Sequence, residues 1–236
     1  MKTRYFKFIL ISLIISCLLY ACKKNDAAEA TAFDIGQLDQ YCLYVRVASP
    51  EVPNSTVSDF IFDFKTGNIA ELGSLEGLYT LTTKVMEDNS VKISMGLNDY
   101  VLFVVEKGKP VIKQWKLFGE VTELQLIKKP EINLLKGNTF TGTYYKSNNT
   151  VLHENFFYSY SALNNTSLSA GLKVNEPALR GEVYKSLGNI AAYVKKVNST
   201  TADMEFMILV DGKLRVTYID RVSNPTQYYH GVFIKK

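Results

Sequence analysis

A chain of 236 residues, 47% hydrophobic and 21% charged, has ordinary globular composition and is long enough for one large domain or two small ones with a real core. Lys2, Arg4 and Lys7 crowd the start; setting them aside takes the 27 basic residues to 24, against 23 acidic ones. Those 24 are interspersed with acids and form no basic stripe, which excludes nucleic acid as a partner.

The first 25 residues read as an address. Lys2, Arg4 and Lys7 precede an apolar run from Phe8 to Tyr20, which ends on Ala21-Cys22. A basic start, a short apolar run and a small residue at the cut predict a secretory signal peptide over residues 1–21. The run is short for a bilayer, which takes ~20 apolar residues to span. Leu19-Tyr20-Ala21-Cys22 resembles the lipobox of bacterial lipoproteins, departing from it at Tyr20, where a small or branched residue is usual. The resemblance implies that Cys22 is the lipid attachment and that the chain is held to the membrane through its N-terminal lipid. Several acyl chains anchor stably, at ~0.8 kcal/mol per buried methylene. Lys23 beside the cysteine implies the outer membrane, and Lys23-Lys24-Asn25-Asp26 is similar to the charged surface-export signal of Bacteroidota lipoproteins. The protein is then expected to face the periplasm or the cell exterior. The competing reading is an uncleaved anchor with Cys22 a bystander. Residues 22–37 are polar and Ala-rich, and are expected to be a flexible tether.

From Asp39 onward, alternation with a period of two predicts strands of an all-β fold. Leu43, Val45 and Val47 share one face; Phe60, Phe62 and Phe64 share another, opposite Asp59 and Asp63. Tyr79, Leu81, Thr83 and Val85 alternate with polar residues, and Glu87-Asp88-Asn89-Ser90 turns the chain into Val91, Ile93 and Met95. Tyr100 to Val105, apolar on both faces, reads as a central strand; Val111 to Leu117 and Leu124 with Leu126 follow. This is an antiparallel meander, the first lobe, residues 38–130.

Lys128-Lys129-Pro130 breaks the run, and a second lobe, residues 131–236, begins. Phe140, Gly142 and Tyr144 alternate with threonines, and Ser147-Asn148-Asn149 turns into Val151 to Tyr160. Leu168, Ala170, Leu172 and Val174 form another alternating set. Met204 to Val210, Asp211-Gly212 and Leu214 to Ile219 make the strongest hairpin, since Asp-Gly suits a type I′ turn. Tyr228 to Ile234 supplies a last strand. Leu179, Val183, Leu187, Ala191 and Val194 have helical spacing and suggest one short helix, weakened by Gly181 and Gly188. The second lobe reads as a small up-and-down barrel or sandwich. It opens on Leu135-Lys136-Gly137-Asn138-Thr139-Phe140 and looks lipocalin-like, without the Gly-x-Trp that true lipocalins carry there. The stretch Gly142-Thr143-Tyr144-Tyr145-Lys146 through His153-Glu154-Asn155-Phe156-Phe157-Tyr158 is similar to a pattern of Bacteroidota outer-membrane and surface lipoproteins, which implies location and no activity.

Residues that carry chemistry are sparse. With Cys17 in the signal and Cys22 lipidated, Cys42 has no disulfide partner and is expected to be a packing residue. His153 and His230 stand in aromatic strands without metal-ligand spacing and read as rim or surface residues, so no metal and no cofactor are expected. There is no Gly-x-Ser-x-Gly elbow, phosphate loop or dinucleotide motif, and no catalytic residue is assigned. Asp59, Asp63, Asp99, Glu154, Asp203 and Glu205 read as solvated strand faces; a hydrolase would need two of them to converge. Aromatic residues are 12% of the chain, with 15 Tyr and 13 Phe, and they bunch in pairs. Most are expected to be packing, because strands prefer aromatics. The residues expected to bind a ligand are Tyr144, Tyr158 and Tyr228. The reading is a non-catalytic, lipid-anchored binding module for a small apolar molecule or a glycan. The rivals are a structural or adhesion component that contacts another envelope protein and, third, an envelope hydrolase.

Overall fold

The computed structural model describes residues 33–48, 57–96, 98–117, 119–198 and 201–236. The expected signal segment, Cys22 and the tether up to residue 32 lie outside the described residues. Asp34–Lys236 forms one compact unit. It opens with a 3-10 helix, Ile35–Gln40, capped by the Asp34 carboxylate, which accepts from the Gly36 N–H at 2.9 Å. Residues 34–37, expected in the tether, therefore belong to the folded unit.

Two antiparallel sheets follow, each curled into a nearly closed barrel. The first contains β1 (Tyr41–Ala48), β2 (Val57–Lys65), β3 (Ile69–Ser74), β4 (Gly77–Val85), β5 (Val91–Ser94), β6 (Tyr100–Glu106), β7 (Lys109–Trp115) and β8 (Glu120–Lys128), in the order β7-β6-β5-β4-β3-β2-β1-β8. The second contains β9 (Thr139–Lys146), β10 (Val151–Tyr160), β11 (Ser167–Gly171), β12 (Arg180–Val183), β13 (Lys185–Leu187), β14 (Ala191–Asn198), β15 (Thr201–Val210), β16 (Lys213–Asp220) and β17 (Gln227–Lys235). Its order is β12-β11-β10-β9-β17-β16-β15-β14-β13. The all-β expectation holds, and so does the β15–β16 hairpin, where Asp211 and Gly212 take the positive φ of a type I′ turn. β6 lies one strand from an edge rather than centrally, and only Val101 and Phe103 of its apolar run are buried.

The expected helix over residues 179–194 is replaced by β12, β13 and β14. Gly188 (φ +55°) and Asn189 (φ +60°) reverse the chain between β13 and β14. A Cβ on Gly188 would stand 2.2 Å from the Cys42 Sγ, so the turn needs glycine for space as well as for conformation. The helical spacing was accidental: Leu187 and Ala191 are buried, while Leu179 and Val183 are exposed. This segment also closes the second barrel. Its first half pairs with β11, its second half with β14, and the Tyr184 N–H between them donates to the Thr166 carbonyl at 2.7 Å.

β1 and β2 are covered on both faces. Leu43, Val45, Phe60, Phe62 and Phe64 line one side, where Phe64 meets Phe103 of β6 at 6.0 Å between ring centroids. On the other side Cys42, Tyr44 and Ile61 pack against Leu187, Tyr193, Phe206 and Ile208 of the second sheet. Asp59 and Asp63, expected on a solvated face, are therefore buried between the sheets, because the polar face of β2 is the one the second sheet covers. Their charges are met locally. Asp63 receives Lys129 and Lys65 at 2.6 Å each, and the Gly188 N–H at 2.9 Å. Burial alone would raise its pKa, but the two ammonium groups outweigh burial and hold it below the usual carboxylate value. Asp59 accepts from the Tyr44 hydroxyl at 2.6 Å and faces Arg46 at 3.7 Å; there burial wins and its pKa is raised.

Candidate ligand site at the mouth of the second sheet

Alternation on β9 and β17 sends Phe140, Gly142 and Tyr144, and Tyr229, Gly231 and Phe233, into the curl of the second sheet. Neither glycine has room for a side chain: a Cβ on Gly142 would stand 2.3 Å from the Val232 carbonyl oxygen, and one on Gly231 2.6 Å from the Phe233 ring. On β10 the pairing with β9 shifts register between His153 and Phe156, with Asn155 at φ +57°. This bulge breaks strict alternation and brings His153 onto the same wall as Phe156.

The result is a ladder of near-parallel rings across four neighbouring strands. His153 stacks on Phe156 (5.9 Å, 17°), Phe156 on Tyr144 (5.3 Å, 20°), Tyr144 on Tyr229 (6.1 Å, 14°) and Tyr229 on Tyr218 (5.6 Å, 23°). The Arg180 guanidinium caps the end, 5.7 Å from the Tyr218 centroid. Below the ladder the curl is filled by Phe140, Tyr158, Tyr160, Tyr184, Met207 and Phe233.

A charged centre sits against this packing. The Glu205 side chain, 1% exposed, accepts two hydrogen bonds from Arg180 (2.8 and 2.9 Å), one from Tyr158 (2.5 Å) and one from Tyr144 (3.3 Å). Burial and then the Glu205 charge push both tyrosines well above their ordinary pKa, so they remain donors. Burial opposes the Arg180 charge, yet Glu205 more than offsets it and the guanidinium stays charged. Three of these bonds converge on Oε1 and one reaches Oε2, and the shared acceptor fixes the rotamers of both tyrosines.

Above the centre lies an open depression of about 240 Å³, whose lining includes Arg180, Lys196, Asp203, Tyr218, Asp220 and Tyr229. Tyr218 and Tyr229 are half-buried, and neither hydroxyl meets a hydrogen-bond partner among the described residues. Burial raises both phenols, reinforced by Asp203 and Asp220 at Tyr218 and by Asp220 at Tyr229, so both are donors at neutral pH. Asp203 accepts from the Arg221 N–H at 3.0 Å and Asp220 from the Val222 and Ser223 N–H groups, which holds the rim carboxylates in place.

Of the three tyrosines expected to bind ligand, Tyr144 and Tyr158 come together on Glu205. Tyr228 does not join them. It sits on the outer face of β17, 36% exposed, and its neighbour Tyr229 takes the inward position. Asp203 and Glu205, expected on solvated faces, are buried, whereas Asp99 and Glu154 are exposed as expected. Alternation did not reveal Arg180 or Tyr218. A usable signal was Glu205 itself, an acid inside the apolar run Met204 to Val210, which needs a buried partner. Among the described residues no group of three or more His, Cys, Asp or Glu is placed to hold a metal ion, and no helix is long and apolar enough to cross a membrane. No protein-family model, curated protein or solved structure matches the chain.

Proposed function

We propose that this protein is a lipid-anchored envelope protein whose second barrel binds a polyhydroxylated ligand, a glycan segment, at its mouth without acting on it. The anchoring rests on Cys22 and the lipobox-like tetrapeptide. The observation that carries the binding reading is the pair of half-buried, unpartnered hydroxyls of Tyr218 and Tyr229, set among Arg180, Lys196, Asp203 and Asp220. Sugar hydroxyls both donate and accept, so they can satisfy phenols, carboxylates and ammonium groups in one small site. A purely apolar ligand would desolvate those charges without replacing their water, and the packed core below favours binding at the mouth over enclosure in the barrel.

Titration calorimetry of the full chain in detergent micelles, against a panel of neutral and acidic oligosaccharides and a fatty acid, tests the reading. At least one oligosaccharide should bind. Tyr218→Phe combined with Tyr229→Phe should weaken that binding by about tenfold or more, at ~1 kcal/mol per lost hydrogen bond, without a change in thermal stability. Binding of the fatty acid alone would overturn the glycan assignment in favour of an apolar ligand. A second reading, contact with another envelope protein, draws on the outward stripe Tyr228, Val232 and Ile234 on β17; it would take over if no small molecule binds.

A further inference from the structure

A second concave site lies between the two sheets, away from the mouth. It is a groove of about 230 Å³ bordered by Arg46 of β1, Asp59 of β2, Arg215 of β16, His230 of β17, and Tyr145 and Asn149 at the end of β9 and its turn. Most of its charges are already matched. The Arg215 guanidinium donates to both Glu123 oxygens, at 2.6 and 3.2 Å, and to the Tyr44 hydroxyl. Asp59 takes the Tyr44 hydroxyl and faces the Arg46 Nε. Two groups remain unmatched. The terminal nitrogens of Arg46 meet no partner among the described residues. The Nδ1 of His230 is buried with no hydrogen-bond partner, while its Nε2 lies 3.0 Å from the Asn149 side-chain carbonyl oxygen.

That pairing sets the imidazole chemistry. An amide oxygen only accepts, so Nε2 carries the proton and donates to Asn149, which leaves Nδ1 as a bare lone pair. A buried polar atom without a partner is rare enough to call for one. Beside it the Arg46 guanidinium, which faces Asp59 through Nε alone, keeps its terminal nitrogens open to an acceptor. One kind of group answers both: an oxyanion that accepts from Arg46 and, once Nδ1 has taken a proton from solvent, accepts from Nδ1–H as well. We propose that the groove between the sheets is an oxyanion site, for a sulfate, phosphate or carboxylate group, in which Arg46 and protonated His230 hold the anion and each binding event takes up one proton.

The groups that face His230 agree with this linkage. Burial and the Arg46 charge both hold the imidazole below its ordinary value, so without an anion it is neutral at neutral pH. Asp59 borders the groove but is taken up by the Tyr44 hydroxyl and the Arg46 Nε, Arg215 is matched by Glu123, and Tyr145 meets the imidazole edge-on at 5.6 Å between centroids. An anion against Arg46 cancels one cause of the depression and provides an acceptor for the new N–H, so its binding and His230 protonation favour each other.

Sulfate is the probe of choice because it has no proton to lose or gain between about pH 5 and 8, where histidine titrates. Calorimetric titration of sulfate into the full chain in neutral detergent should show saturable binding with uptake of one proton. Affinity should fall by up to about tenfold per pH unit above the free-state His230 pKa. In the wild type, the histidine proton resonances should report a higher His230 pKa with sulfate than without. Arg46→Gln should lower affinity about tenfold and keep the pH slope, whereas His230→Gln should lower affinity similarly and abolish the slope. Arg46→Lys serves as the folded control and should retain part of the affinity. Absence of saturable binding at the acid end, an unchanged His230 pKa, or a pH slope that survives His230→Gln would each overturn the assignment. Parallel titrations with phosphate and acetate then separate the possible sources of the anion.

Discussion

Asp63→Asn tests most directly how the two sheets are held together. The carboxylate is 1% exposed and serves both sheets: Lys65 of β2 and Lys129 just after β8 on one side, the Gly188 N–H of the β13–β14 turn on the other. Asparagine keeps the shape, removes the charge and turns an NH₂ group toward donors. The Lys129 ammonium, 18% exposed and also donating to the Asp39 carbonyl at 2.7 Å, is then left nearly buried without a counter-charge. Breaking such a pair costs about 3–5 kcal/mol. Lys65, 42% exposed, can turn to water, so its share is discounted to under about 1 kcal/mol. The expected loss at neutral pH is about 3 kcal/mol, read as a lower urea midpoint at unchanged slope. The pH dependence has a definite sign. The folded-state pKa of Asp63 lies below its ordinary value of 3.8. Its contribution is therefore complete above that value and is lost as pH falls through the folded pKa. The difference between wild type and variant should be constant near neutrality and shrink below about pH 4. A loss under about 1 kcal/mol at neutral pH, or a difference that persists unchanged into strong acid, would refute the reasoning.

Gly188→Ala should cost about 3 kcal/mol, combining a positive φ with a Cβ pressed against Cys42 Sγ. Adding Cys42→Ala should recover about 1 kcal/mol of that in urea melts, and purely additive losses would show that the contact is not the cause. Cys42 itself is buried, and burial followed by the Asp63 charge pushes its thiol far up. It should therefore resist maleimide in the native protein and react only in denaturant; fast native labelling would contradict the structure. Glu205→Gln should destabilise by about 2–3 kcal/mol, since Arg180 keeps some solvent access while Tyr144 and Tyr158 lose a charged acceptor. The near-UV circular dichroism of the tyrosines should change with it.

Much of the fold was legible in the residues. Alternation at Leu43 to Val47, Phe60 to Phe64 and Phe140 to Tyr144 predicted strands, because a period of two is a local property of the backbone. Asp211-Gly212 predicted its turn for the same reason. The failures share one cause. Leu179 to Val194 carried an apolar spacing that fits a helix, but Leu187 and Ala191 pack between the sheets while Leu179 and Val183 face water, and spacing alone cannot tell which neighbour covers a residue. Tyr228 and Tyr229 posed the same problem in miniature, a choice of parity that the local sequence leaves open.

The sequence by itself determined the all-β class and the positions of most strands, since those follow from backbone geometry and hydrophobic periodicity. Tertiary structure alone decided which polar residues are buried. Asp59, Asp63, Asp203 and Glu205 alternate as solvent-facing residues would. They end up inside because a second sheet, or the wall across the barrel, closes over them with Lys129, Arg46 and Arg180 in place. A carboxylate is stable in such a position only if charges and donors converge on it: Arg180, 25 residues away, neutralises Glu205, and Asp63 adds to its two lysines the Gly188 N–H, 125 residues away. Pairings over such distances are made by the packing of sheets, and no local pattern encodes them.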